Sequence, residues 1–252
     1  MASDIALGVT GVGKSFGGVR AVHDTSFEVR LGERHALIGP NGAGKTTLFN
    51  LVAGELQVDA GRIALFGRDV TRLPVEHRAR LGLGRTYQIS QLFAGLTVAD
   101  NLALATRRGR RAAFSVFARR AGDRGLRAEI DEAASAVRLD GRLGRTVAEL
   151  SHGEQRQLEI GMVLAMRSEL IMLDEPAAGL SPAERATLAD VVSALPKDKT
   201  LILIEHDMDL VLRLAERITV LDRGRPIAEG SPAEIRSNAT VQDVYLGSAA
   251  HD

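Results

Sequence analysis

The chain has 252 residues, 45% of them apolar and 25% charged, which suffices to bury a sizeable core as one large domain or two small lobes. Lys plus Arg and Asp plus Glu both total 32, and a formal net charge of zero argues against a broad phosphate-neutralising surface and so against bulk nucleic-acid binding. There is no cysteine, which excludes disulfides, thiolate metal sites and thiol catalysis.

The opening MASDIALGVTG carries no basic-then-apolar leader pattern. No apolar run approaches the roughly 18 to 20 residues that span a bilayer, so any service to a membrane runs through a partner. Alternating apolar positions in Thr25–Arg30 and the apolar run Arg34–Ile38 predict strands, the second of them buried. The Gly-rich GPNGAGKTT follows at Gly39–Thr47, and LFNLVAG predicts a helix ending near Gly54. A short strand at Arg62–Phe66 and a turn at Gly67–Asp69 come next. Residues 88–165 read as helical: Thr97 with Asp100 gives an N-cap signal, and Leu126–Leu139 has helical spacing. Arg107–Arg120 holds six arginines and no acid, interleaved with Phe114, Val116 and Phe117. It reads as a solvated loop or as a contact for anionic headgroups or a membrane subunit through Arg110, Arg111, Arg119 and Arg120.

Alternation returns in the last third. LIML at 170–173 and TLILIE at 200–205 predict buried strands, and Arg217–Asp222 with Arg225–Glu229 predicts a strand pair. Ser181-Pro182-Ala183-Glu184 and Ser231-Pro232-Ala233-Glu234 are capping-box signals that open helices. Two α/β regions around a helical insertion imply a core lobe over residues 1–87 and 166–252 and a helical lobe over 88–165.

Gly39-Pro40-Asn41-Gly42-Ala43-Gly44-Lys45-Thr46 fits the phosphate-loop pattern G-x-x-x-x-G-K-[ST] at every fixed position. Its glycines allow a nest of N–H donors around a β-phosphate, and the helix behind adds its positive end. Lys45 is suited to reach the β- and γ-phosphates, and the Thr46 hydroxyl to ligate Mg²⁺. Asp174 and Glu175 end an apolar strand; downstream of a phosphate loop, Asp174 suits the Mg²⁺ shell and Glu175 a general base for water. Ser151 with Glu154 in LSHGEQ is by itself a capping box, and a helix N-terminus with a small Ser-x-Gly approach is also an anion site. Taken singly, His206 reads as a structural residue at a strand end, Gln88 as a solvated side chain and Phe16 as core.

Together and in this order, from Phe16 to about Gly247, these pieces resemble the ATPase subunit of ABC transporters. LSHGE resembles the signature usually written LSGGQ, RTYQ supplies a Q-loop at Gln88, and IEHD supplies a switch histidine at His206. The resemblance implies a P-loop NTPase core of ABC ATPase type with an antiparallel β subdomain and a helical lobe. It implies ATP with Mg²⁺ held by Gly39–Thr47 together with Asp174 and Gln88, Phe16 stacked on adenine, and Glu175, His206, Lys45 and Gln88 acting in hydrolysis. It also implies Ser151 and Gly153 on the γ-phosphate of ATP held by a second ABC ATPase subunit, a copy of this chain or a LivF-like sister. The implied setting is the cytoplasmic face of the plasma membrane, on transmembrane permease subunits served by a periplasmic binding protein, with no nucleic acid.

Two departures stand out. His152 and Glu154 replace one Gly and the Gln of the usual signature, and AAGLSP stands where many relatives have TSALD, leaving Ala178 and Ser181 in place of Ser and Asp. LSHGEQRQLEIGM, DEPAAGLSP and the terminal VYLG resemble one subgroup, the LivG-type ATPases of branched-chain amino-acid importers. Urea or amide importers and a lipopolysaccharide-type exporter share parts of the pattern. A soluble ABC ATPase acting on DNA or ribosomes is disfavoured by the neutral charge and by the lack of a second ATPase unit.

Overall fold

The computed structural model describes residues 4–86, 92–109 and 118–248. The chain forms two compact units, one of residues 1–83, 170–175 and 197–252 and the other of residues 84–169 and 176–196.

In the first unit, β1 (Ile5–Phe16), β2 (Val19–Arg30), β4 (Ala60–Leu65) and β5 (Arg68–Asp69) make an antiparallel sheet in the order β2-β1-β4-β5. The expected strand at Thr25–Arg30 is the second half of β2. Along it Thr25, Phe27 and Val29 point into the core while Ser26, Glu28 and Arg30 face outward, the period of a strand covered on one side. Its partner β1 is masked in the sequence by glycines at 8, 11 and 13.

The second sheet has the order β10-β9-β3-β8-β7-β6. Here β3 (Arg34–Ile38), β8 (Thr200–Ile204) and β7 (Leu170–Asp174) run parallel, β9 (Arg217–Asp222) is parallel to β3, and β10 (Arg225–Gly230) returns antiparallel to β9. The edge strand β6 (Leu83–Arg85) is where the chain leaves this unit. Every residue of β7 and β8 is buried, which is why both read as unbroken apolar runs. Helix α1 (Lys45–Ala53) buries Leu48, Phe49, Leu51 and Val52 in one cluster with Leu7, Val29, Leu37, Ile63, Met172 and Ile204. Each such side chain contributes roughly 1.5–3 kcal/mol. Gly54 ends α1 in the left-handed conformation (φ 86°), at the predicted place.

The carboxyl end of α1 is held by Arg78, from α2 (Val75–Arg80). Its guanidinium is fully buried and donates to the carbonyls of Leu51 (2.7 Å), Val52 (2.6 Å), Leu73 (2.9 Å) and Thr71 (3.1 Å). Burial lowers its pKa to about 10, so it remains a cation at neutral pH, set against the negative end of the helix dipole. It fixes the far end of the helix whose near end follows Gly39–Gly44.

The remaining described helices of this unit are α7 (Met208–Leu214), α8 (Pro232–Arg236) and α9 (Ala239–Ser248). The second unit contains α3 (Val98–Gly109), α4 (Ala118–Ala136), α5 (His152–Ala165) and α6 (Pro182–Ser193). Leu102, Ala134, Val137, Leu158 and Ile160 are buried in it, and the Gln157 amide donates to Val137 O (2.8 Å). Thr97 and Asp100 cap α3 as expected, the Asp100 N–H donating to Thr97 Oγ1 at 3.1 Å. Residues 176–196, which the sequence assigns to the core lobe, cluster here because α6 packs on α5. Gln88 and residues 110–117 of the basic run lie outside the described residues, as do the side chains of Arg119 and Arg120. Among the described residues no helix is long and apolar enough to cross a membrane.

Arg78→Met is expected to cost about 3 kcal/mol or more of unfolding free energy, since four carbonyls lose a charged donor. Urea denaturation measures this, and Arg78→Lys should recover only part because an ammonium cannot reproduce the planar fork.

Candidate functional site

Parallel pairing places the carboxyl ends of three neighbouring strands along one edge of the first unit: Leu37 is in register with Ile204, and Ile204 with Asp174. Open parallel sheets bind ligands at such an edge. The segments that follow these strands are Gly39–Gly44 after β3, Glu205-His206 after β8 and Glu175 after β7.

The Gly39–Gly44 loop folds tightly through left-handed backbone. Gly39 has φ 149° and Gly44 has φ 94°. A Cβ at Gly39 would stand 2.1 Å from the Leu221 carbonyl oxygen, and one at Gly44 2.4 Å from that of Ala21, so neither site admits a side chain. Ala43 N–H donates to Pro40 O (3.1 Å), while Asn41 and Gly42 stay exposed. Helix α1 begins at Lys45 with no side-chain cap and no acidic residue in its first turn, whereas α5, α6, α7 and α8 are all capped by Ser or Asp. Its first-turn N–H groups are thus left to a ligand, with the exposed Thr46 and half-buried Thr47 beside them. The Lys45 ammonium is buried and donates to Gly39 O (2.6 Å) and Pro40 O (3.0 Å). Burial pulls its pKa down, and the Glu175 carboxylate pulls it back up.

Asp174 is buried at the end of β7. Glu175 follows with its N–H on Ile204 O (3.0 Å) and φ 45°, a conformation costing a non-glycine residue roughly 1–2 kcal/mol. That backbone turn leaves the carboxylate partly exposed, 4.0 Å from Nδ1 of His206. His206 is exposed; its N–H donates to the buried carboxylate of Glu205 (3.1 Å), and the next residue, Asp207, caps α7. Phe16, taken alone as core, is 47% exposed at the end of β1, with the Lys14 ammonium 5.5 Å from its ring centre. It offers an aromatic face suited to stacking on a flat base. In α9 of the same unit, burial pushes the Tyr245 hydroxyl up to about 12, offset in part by the Gly39 N–H. Tyr245 belongs to the VYLG tail and lies near the first glycine of the loop, a placement only tertiary structure reveals.

Ser151 and Gly153 lie in the second unit, at the start of α5. The predicted capping box is present: Glu154 N–H donates to Ser151 Oγ (3.2 Å) and Ser151 N–H to Glu154 Oε2 (2.9 Å). Arg142 holds the other Glu154 oxygen at 2.7 Å. The donors of this turn face Glu184 of α6, whose Oε1 accepts from the Ser151 hydroxyl (3.0 Å) and the Gly153 N–H (3.0 Å). Its Oε2 accepts from the N–H (3.1 Å) and hydroxyl (2.8 Å) of Ser181. The His152 ring adjoins Gly179. The two departures read in the sequence, LSHGE and AAGLSP, thus meet each other.

The Ser181 hydroxyl, the Gly153 N–H, the Ser181 N–H and the Ser151 hydroxyl together hold the Glu184 carboxyl at about 2, well below its ordinary 4.5. A depressed carboxyl contributes stability above its unfolded pKa and loses it as pH falls toward the folded value. The melting-temperature gap between the native chain and Glu184→Gln should therefore be full at pH 7 and narrow as pH drops below about 4.5. A gap that is constant down to pH 3 would contradict the assignment.

The first unit thus carries a glycine-rich loop at an uncapped helix start, with a carboxylate and an imidazole after the neighbouring strands. A model of the ABC transporter family matches residues 22–178, and one described as branched-chain amino acid ATP-binding cassette transporter matches residues 225–251. The chain is 41% identical over 250 residues to the high-affinity branched-chain amino acid transport ATP-binding protein LivG of Salmonella typhimurium, covering 96% of this chain and 98% of that one. With the corresponding BraF protein of Pseudomonas aeruginosa it shares 39% over the same spans. Among solved structures, the ADP conformation of an ATP-binding cassette of an ABC transporter superposes with a TM-score of 0.82 at 28% identity, covering 97% of this chain and all of that one, 100%.

Proposed function

The chain belongs to the ABC transporter family as an ATP-hydrolysing subunit, and on that premise we propose that it energises the import of branched-chain amino acids. The observation that carries the substrate class is end-to-end likeness to proteins named for that transport, including the match at residues 225–251 around the VYLG tail.

In this reading the uncapped start of α1 and the Gly39–Gly44 nest receive the β- and γ-phosphates. Lys45 exchanges the carbonyls of Gly39 and Pro40 for phosphate oxygens, and Phe16 stacks on the adenine. Glu175 takes the proton of the attacking water, and His206, held by Glu205, orients that water against the γ-phosphate. Magnesium suits the Thr46 hydroxyl and the Asp174 carboxylate, with Gln88 as a third donor. Among the described residues no cluster of three or more His, Asp or Glu forms a cage. A hydroxyl and one carboxylate fit an ion that shares its shell with substrate phosphates, whose charge it neutralises.

A second ATPase subunit, a copy or a LivF-like sister, presents its Ser151–Gly153 turn or equivalent to the same γ-phosphate. The pair closes because that phosphate gains donors only in the closed state. Hydrolysis removes them, and Gln88 passes the motion to permease subunits that a periplasmic binding protein supplies. The chain then sits peripherally on the cytoplasmic face of the plasma membrane.

Glu175→Gln should bind ATP and accumulate as an ATP-dependent pair while turnover falls by two orders of magnitude or more, read by phosphate release and light scattering. Near-normal turnover would remove Glu175 from its role. Lys45→Ala should lose nucleotide binding or turnover; unaltered ATP kinetics would remove the phosphate-loop assignment.

A further inference from the structure

Glu184 occupies the donors that the preceding reading gives to nucleotide. The Ser151 hydroxyl carries one proton, which goes to Glu184 Oε1 at 3.0 Å, and the Gly153 N–H goes to the same oxygen at 3.0 Å. The contact is close: a Cβ at Gly153 would lie 2.8 Å from Glu184 Cγ. Neither proton serves a second acceptor at full strength, and an ionised carboxylate repels an arriving phosphate from that spot. The turn is therefore held by its own unit or by a nucleotide, not by both.

We propose that Glu184 is an internal stand-in for the terminal phosphate, closing the Ser151–Gly153 turn in the separate subunit and yielding it when a partner subunit delivers ATP. This rests on the reading that the turn meets the partner's nucleotide.

The released carboxylate has room and company. A cavity of about 580 Å³ beside the turn is lined by Ser151, Gly153 and Glu184 and also by Arg138 and Arg142. Arg138 pairs with Asp190 (3.1 Å) in an exposed ion pair that rearranges at little cost, and Arg142 pairs with the half-buried Glu154 (2.7 Å). Glu184 keeps its second oxygen on Ser181, so the first can leave the turn without opening the cap of α6. Signature turn and post-Glu175 loop are thereby tied through one side chain. The stand-in raises the nucleotide concentration needed for pairing and keeps empty subunits apart.

The test titrates ATP into the full chain carrying Glu175→Gln and follows pairing by light scattering, with and without Glu184→Gln or Glu184→Ala. The expected result is a pairing midpoint at least tenfold lower in ATP for both variants, although each melts at a lower temperature than the parent. A purely structural role moves both readouts the same way, toward weaker pairing. An unchanged or higher midpoint in folded Glu184→Gln, when Glu175→Gln pairs and Ser151→Ala abolishes pairing, overturns the stand-in alone. Failure of Glu175→Gln to pair, or indifference of pairing to Ser151→Ala, overturns the reading beneath it as well. A chain that folds with neither Glu184 substitution also overturns it, because a carboxylate the fold cannot spare is not released in each cycle.

Discussion

Parallel hydrogen bonding of β3 with β8 and of β8 with β7 is the constraint on which the nucleotide site depends. It sets Leu37, Ile204 and Asp174 level, so that the loop after β3 and two segments more than a hundred residues further along the chain emerge at one edge. Slipping β7 by one residue would turn Asp174 to the other face of the sheet. Strands β7 and β8 are wholly buried, and β3 is buried from His35 to Ile38, so their alignment is held by the apolar core and not by the polar residues it serves. The local costs at the edge, such as the left-handed turn at Glu175 and the buried ammonium of Lys45, are borne by that core.

Treatment of helix ends separates the two kinds of site. In α5, α6 and α8 a serine and a glutamate three residues on close the first turn reciprocally, satisfying donors that would otherwise seek anions. Helix α1 has neither, and glycine stands where the cap would be. The chain leaves open the one of these N-termini that faces the phosphate loop. Helix α5 is an intermediate case: its cap is complete, yet the Ser151 hydroxyl proton and the Gly153 N–H still look outward, and a carboxylate from α6 takes them. Chemically that carboxylate is the nearest thing to a phosphate oxygen that a protein contains.

Much of this was legible along the chain. Gly39–Thr46 is a local pattern whose function follows from backbone conformation, so glycine spacing suffices to read it. The buried strands at 34–38, 170–174 and 200–204 announce themselves by apolar runs, and the helix starts at Ser151, Ser181 and Ser231 by serine–glutamate spacing. These features depend on residues within a turn or a strand of one another. Strand β1 escaped because its glycines break the alternation that would have marked it.

Amino-acid order alone therefore determined the phosphate loop, the caps, the buried strands and the family they belong to, because each is written in neighbours a few positions apart. Tertiary structure decided the rest: that Glu184 serves two serines thirty residues apart, that Arg78 anchors the far end of α1, that Tyr245 lies by Gly39, and that Phe16 is exposed. A side chain's partners across the fold leave no periodicity behind. An isolated glutamate or arginine looks the same in sequence whether it faces water or closes a site.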